Sequence, residues 1–173
     1  MGKRPRARSR MKHQLREATT RDIETLIRHR RGMFEDMGVH DIEALDAADS
    51  AYRKWIKLAL MKRVVVGWIV EVGGEIAGSC CLWLQPALPN PEGETRLHRP
   101  YLFSMFTEPQ FRRKGVASSI VRQAVEWCRK NGYPRLTLHA SKKGRGLYAK
   151  YGFTRTWEMR RQIKIGRVKG RAH

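Results

Sequence analysis

Between an apolar run ending at Thr107 and a helix-patterned run beginning near Val116 lies Glu108-Pro109-Gln110-Phe111-Arg112-Arg113-Lys114-Gly115-Val116-Ala117-Ser118. A strand that passes through a glycine-containing turn into a long helix presents free backbone N–H groups to one point, at the positive end of the helix dipole. The chemistry on offer is anion binding. Gly115 lets a ligand approach the backbone, Ala117 keeps the first helical turn free of bulk, and Arg112, Arg113 and Lys114 add positive charge. The segment lacks the GK[ST] ending of a Walker loop and is not GxGxxG. A surface turn carrying three solvated basic residues has the same sequence, so the loop alone leaves both readings open. Cys80, Cys81 and Cys128 form neither a CxxC pair nor a Cys/His cluster, which argues against a zinc site or a disulfide framework. No metal is expected, and a reducing, cytoplasmic setting is the default.

The elements that must position this loop follow from periodicity and punctuation. Gln14 to Ala18 predicts a short first strand, and Thr19-Thr20-Arg21-Asp22 is a helix-start signal. Ile23, Leu26, Ile27, Arg30 and Phe34 keep helical spacing until Gly38, and a second helix fits roughly Asp49 to Met61 with Tyr52, Trp55, Ile56 and Leu60 on one face. Val64 to Val72 and Ile76 to Leu84, joined by Gly73-Gly74, predict an antiparallel hairpin. Gln85 to Arg99, with Pro86, Pro89, Pro91 and Gly93, reads as a loop long enough to border a site. Tyr101 to Thr107 is a strand, and Val116 to Lys130 is a helix whose stripe is Ile120, Val121, Ala124, Val125 and Cys128, stopped by Asn131-Gly132. Leu136 to Ala140 predicts a strand, Gly146 to Tyr151 a short helix and Phe153 to Ile165 a last strand. The strand–helix–strand unit from Tyr101 to Ala140 should join parallel strands. The expected fold class is α/β: one mixed sheet with helices on both faces.

At 173 residues the chain suits one domain, and 41% hydrophobic residues exclude a wholly disordered polycation. The most apolar stretch, Val64 to Leu84, is interrupted by Glu71, Gly73, Gly74 and Glu75, so no membrane span is expected. The first residues carry no apolar core of a secretory signal, and Met11 is an alternative start. The formal net charge is +20, and twelve of the excess charges lie on residues 1–13 and 160–173, which hold no acid. The expected organisation is a basic tail over 1–12, a domain over 13–165 and a second basic tail over 166–173.

Arg112-x-x-Gly115-x-Ala117 resembles the acyl-CoA signature [Q/R]-x-x-G-x-[G/A] of the GNAT superfamily of N-acetyltransferases. Ser141-x-x-Gly144-x-x-Leu147-Tyr148-x-x-Tyr151-Gly152-Phe153 is similar to that family's later N-x-x-A-x-x-L-Y-x-x-x-G-F segment. The resemblance covers residues 14–165 in topology and 101–153 in sequence. It implies that acetyl-CoA is the cosubstrate. Its pantetheine arm would bond to the backbone of Met105, Phe106 and Thr107 where that strand splays from its neighbour, and its pyrophosphate would take N–H groups from Arg113 to Ser118, including Val116 and Ala117. Free backbone groups at a splayed edge suit such an amide. Tyr148 then resembles the general acid that protonates the leaving thiolate, which suits a phenol still protonated at neutral pH. Ser141 stands where the family often has a cofactor-contacting Asn.

For the base, the family often has a Glu near the start of the fourth strand, but Leu97-His98-Arg99-Pro100 offers no acid. Glu94 and His98 are the nearest candidates, with Glu71, Glu108 and His139 as further options. Within the family the acceptor enters beside the first two helices, near Arg28, His29, Arg31, Glu35, Asp36 and the 85–99 loop. Glu35, Asp36, Asp41, Glu43, Asp46 and Asp49 offer a cationic amine an acidic cluster, though an acidic loop balancing a basic body reads the same way, and His29-Arg30-Arg31 also reads as an exposed face. The function these readings imply is acetyl transfer to a primary amine, small-molecule or peptide, by direct attack in a ternary complex, since no cysteine lies in a motif for a covalent acyl intermediate. The alternatives are a nucleic-acid- or ribosome-associated binding protein on the same scaffold, and a protein N-acetyltransferase docked by its basic tails. A homodimer stays open.

Overall fold

In the computed structural model, residues 12–89 and 96–161 are described. The chain runs β1 (His13–Glu17), a 3-10 turn (Thr20–Asp22), α1 (Ile23–Asp36), α2 (Ile42–Met61), β2 (Val65–Val72), β3 (Glu75–Pro86), β4 (His98–Thr107), a second 3-10 turn (Pro109–Phe111), α3 (Val116–Lys130), β5 (Thr137–Leu138) and α4 (Arg145–Lys150). The five strands lie side by side in chain order; β1 to β4 are antiparallel and β5 is parallel to β4. This is the mixed sheet the sequence predicts, with the hairpin turned by Gly73 and Gly74, both at positive φ as a two-residue turn requires.

Two cores flank the sheet. On one face Leu26 and Ile27 of α1 and Tyr52, Ile56 and Ala59 of α2 pack on Val65, Ile69 and Cys81; on the other, Val116, Ile120, Val121, Ala124 and Cys128 of α3 pack on Val70, Cys80, Leu82 and Leu102. Each fully buried aliphatic side chain contributes about 1.5–3 kcal/mol, so both helical layers are held firmly to the sheet. Thr19 caps the first turn reciprocally: its hydroxyl accepts from Arg21 N–H, and the Asp22 carboxylate accepts from Thr19 N–H.

Four sequence expectations are corrected. Helix α2 starts at Ile42, not Asp49, because Asp41 caps it; its first turns expose Ile42 and bury Leu45 alone, so the apolar stripe is missing there. The 85–99 loop is shorter: Gln85 pairs with Arg99 and Pro86 with His98, Pro86 sitting at the end of β3 where few ladder bonds are lost. Val125 is exposed, and α3 buries Val116 and Ser119 as well as the rest of the expected stripe. Finally, residues 153–161 are not a strand. Among the described residues no neighbouring strand takes their backbone groups, and Trp157 and Met159 stand exposed; the remainder of that expected strand, 162–165, lies outside the described residues, as do residues 1–11 of the expected 1–12 tail and the tail over 166–173.

Candidate active site

The site grows from an irregularity in β4. Cys81 pairs with Phe103 and Ser79 with Phe106, so β4 carries one residue more than β3 across this interval. The extra residue is a bulge at Ser104, a buried serine held at φ +50. Before the bulge, Tyr101 and Phe103 face α1 and α2; after it, Phe106 does so, while Met105 turns toward α3. On its other side β4 meets β5 only through Tyr101–Thr137 and Leu102–Leu138. Among the described residues β4 therefore has no strand partner on that side from Phe103 to Thr107, and β5 is Thr137–Leu138 rather than the expected strand from Leu136 to Ala140.

Beyond Thr107 the chain turns into α3. Gly115 is the residue before the helix, at φ +87, and no side chain caps the helix N-terminus, so the first-turn N–H groups of Val116, Ala117 and Ser118 have no side-chain acceptor. A Cβ at Gly115 would reach 3.3 Å from His13 Cε1. The His13 Nε2 beside it is buried without a hydrogen-bond partner. Arg113 holds φ +61 and is exposed, as is Lys114, whose ammonium lies over the Phe111 ring. Arg112 is otherwise engaged: its Nε donates to the Thr107 carbonyl at 3.1 Å and its Nη2 to Asp36 at 2.6 Å.

Tyr148, on α4, lies over the junction. Its hydroxyl donates to Met105 Sδ at 3.7 Å, its ring packs edge-on against Phe153, and burial pushes its pKa up to about 12. Gly144 is needed here, since a Cβ would sit 3.0 Å from the Tyr148 ring. The Ser141 hydroxyl accepts from Gly144 N–H and so starts α4.

The proton-accepting candidates separate. Glu94 lies outside the described residues. His98 begins β4, seven residues before Met105, hence roughly 20 Å along the strand from the Tyr148 hydroxyl. Glu71 is bound by Arg16 at 2.8 Å. Glu108 receives Arg28 and, at 3.0 Å, His29 Nε2, which together outweigh its burial and hold it below the usual carboxylate range. His139, just past β5, is different: its Nδ1 lies 2.6 Å from the Tyr101 hydroxyl and its Nε2 3.0 Å from Glu158, whose carboxylate that contact holds below its ordinary value. With Nε2–H donating to Glu158, a neutral ring leaves Nδ1 as acceptor for the Tyr101 O–H. Glu158 carries no motif in the sequence, and only the tertiary structure brings it to His139.

His29 overturns its sequence reading. It is fully buried rather than on an exposed face, with Nδ1 2.7 Å from the Ser79 hydroxyl and its ring against Phe106. Burial, aided by Arg28, pushes its pKa down. Five of the six acids in the cluster are engaged: Arg31 binds Glu35, Asp46 and Asp49, Arg112 binds Asp36, and Asp41 caps α2. All three cysteines are buried; burial pushes Cys81 and Cys128 up to about 12 and Cys80 well above its usual value. Among the described residues no group of three or more His, Cys, Asp or Glu could hold a metal ion, and no helix is long and apolar enough to cross a membrane.

A splayed strand running into a glycine-led helix, closed over by a tyrosine, is the arrangement of an acyl-CoA acetyltransferase fold. The chain belongs to the acetyltransferase (GNAT) family, whose profile matches residues 25–153. It is similar to a GCN5-related N-acetyltransferase from Ralstonia eutropha JMP134, with 28% identity and a TM-score of 0.82 over 88% of this chain and 99% of that one. A Clostridium acetobutylicum protein solved with acetyl-CoA aligns with 26% identity and a TM-score of 0.78, covering 88% of this chain and 96% of the other. Among curated relatives, rat N-acetyltransferase 8 is 31% identical over 94 residues, 53% of this chain but 40% of that protein. The chain thus matches less than half the length of that relative.

Proposed function

We propose that this chain transfers the acetyl group of acetyl-CoA directly to a primary amine in a ternary complex. The observation that carries the reading is the stretch of β4 from Phe103 to Thr107, unpaired toward β5, leading into the uncapped, Gly115-led start of α3 with the Tyr148 hydroxyl at the junction. The backbone of Met105, Phe106 and Thr107 meets the pantetheine amides as an added strand would. The N–H groups from Arg113 through Ser118 hold the pyrophosphate, with Arg113 and Lys114 adding charge. In this reading Arg112 braces the loop against Asp36 and Thr107, and Ser141 supports Tyr148 through the start of α4.

Acetyl-CoA supplies the activated thioester. Tyr148 keeps its proton at neutral pH and donates it from its hydroxyl to the departing sulfur. The Tyr101–His139–Glu158 chain takes the proton of the attacking amine: Tyr101 O accepts it while passing its own to His139 Nδ1, and Glu158 holds the ring and balances its charge. The buried, protonated thiols leave direct attack rather than a cysteine-bound acyl group.

The test is thermal denaturation with and without acetyl-CoA, followed by thiol-release assays on polyamines, aminoglycosides and peptide N-termini. Acetyl-CoA should raise Tm in the wild type but not in Gly115→Glu, whose carboxylate enters the anion cradle; an undiminished shift in that variant refutes the assignment. Tyr148→Phe should lower kcat about 100-fold or more with acetyl-CoA binding retained, and unchanged turnover removes Tyr148 from the acid role.

A further inference from the structure

One cation of the acceptor face is left without an anion. Arg31 is bound to three carboxylates, Arg28 to Glu108 and Arg112 to Asp36, whereas Arg30, half-buried between them in sequence, has no carboxylate partner among the described residues. Its guanidinium lies over the rings of Phe34 at 4.8 Å and Tyr52 at 4.7 Å, and Nη1 donates to the Ser104 hydroxyl at 2.8 Å. These contacts aim it at the β4 bulge, one residue before Met105, whose side chain turns to the other face of the sheet to meet the Tyr148 hydroxyl. A half-buried guanidinium lying over two rings, with one N–H given to a hydroxyl, still has donors to offer, and a planar carboxylate matches that fork. Around it on the same face of the sheet runs an aromatic wall, half-buried except for the exposed Trp55: Trp55 stands edge-on to Trp83 at 5.5 Å and to Phe103 at 5.9 Å, and Tyr101 stacks beside Phe103.

From this we infer that the acceptor is an amine bearing a carboxylate next to an apolar or aromatic group, an α-amino acid in chemical class, with Arg30 binding the carboxylate and the Trp55, Trp83 and Phe103 wall taking the side chain. The inference rests on the acetyltransferase reading above and specifies its acceptor. A single unpaired guanidinium matches one negative charge, hence a carboxylate rather than a phosphate dianion. Four of the six acids that would serve a polyamine are ion-paired with Arg31 or Arg112. Held by Arg30 at the bulge, the neighbouring amine is brought to the unpaired half of β4.

The experiment compares L-phenylalanine with phenethylamine and L-tryptophan with tryptamine as acceptors for the full chain, under saturating acetyl-CoA, by thiol release. Each amino acid should show kcat/KM at least tenfold above its decarboxylated partner. Arg30→Met should raise KM for the amino acids about tenfold or more and leave kcat/KM for the amines within twofold, and Arg30→Lys should restore part of the loss. Amines that react as well as their amino acids overturn the inference, as does an Arg30→Met variant that slows both members of a pair alike, which is the mark of a purely structural role. If none of the four probes is acetylated while acetyl-CoA still raises Tm, the acceptor class falls and the cosubstrate assignment stands. If acetyl-CoA has no effect on Tm either, the acetyltransferase reading itself falls.

Discussion

Gly78→Ala tests whether the end of β4 and the start of α3 are seated as described. Gly78 lies on β3 opposite Thr107, and a Cβ there would come 2.6 Å from the Phe106 carbonyl oxygen and 3.1 Å from Val116 Cγ1. The first of these is backbone and cannot swing away, so β3 and β4 must part. Overpacking of this kind costs about 2–3 kcal/mol within its usual range, against which alanine recovers about 0.5–1 kcal/mol of backbone entropy. The clash wins, and the net loss of about 1–2.5 kcal/mol lowers Tm by about 2–10 °C in a chain of this size. Because the displaced atoms belong to Phe106 and Val116, the rise in Tm caused by acetyl-CoA should shrink as well. Gly146→Ala is the control: nothing lies within 4 Å of its Cβ position in α4, so the same change should stabilise by about 0.5–1 kcal/mol. Differential scanning fluorimetry with and without acetyl-CoA reads both variants. A Gly78→Ala protein as stable as wild type, with an undiminished acetyl-CoA shift, refutes the packing argument.

The buried His29 sets a pH dependence. Its pKa in the folded chain is lowered below its ordinary value of 6.5, so the unfolded chain binds the proton more readily; the stability this group contributes is complete above that value and is lost as pH falls below it. Glu108, also lowered, adds loss in the same direction at more acidic pH. Urea midpoints should therefore fall between pH 7 and 5, and His29→Leu, less stable at pH 8, should show a flatter profile over that window; parallel profiles would refute the role given to His29. The cysteines give a simpler check. Cys80, Cys81 and Cys128 are buried with raised pKa values, so a thiol-reactive dye at pH 8 should label them slowly in the native chain and rapidly in urea, and fast native labelling would contradict their placement.

The legible parts of this protein were those whose signal is local. The Gly73-Gly74 hairpin, α3 from Val116 to Lys130 and the glycine-led turn before it depend on short-range periodicity and on residues that tolerate positive φ, so they can be read along the chain. The early start of α2 was not legible because its first turns bury almost nothing, and the extension of β3 and β4 to Pro86 and His98 was hidden by Pro86, which is harmless as the last residue of β3. Phe153 to 161 carries strand-like alternation, but a strand is defined by a neighbour's hydrogen bonds, and periodicity alone cannot supply one.

The site divides in the same way. Gly115, Ala117 and Tyr148 stand at motif spacings, and the family resemblance those spacings carry implied an anion cradle and a proton-donating phenol. What the sequence could not contain is which charges cancel. His29, Arg30 and Arg31 are consecutive, yet folding buries the first against Ser79 and Glu108, leaves the second over two aromatic rings with no carboxylate partner among the described residues, and gives the third three carboxylates. Successive residues on a helix point in directions about 100° apart, so neighbours in sequence meet different surfaces. The partners that decide their chemistry, Ser79, Ser104, Glu108 and Asp49, come from other elements, and only the packing of α1 on the sheet assigns them.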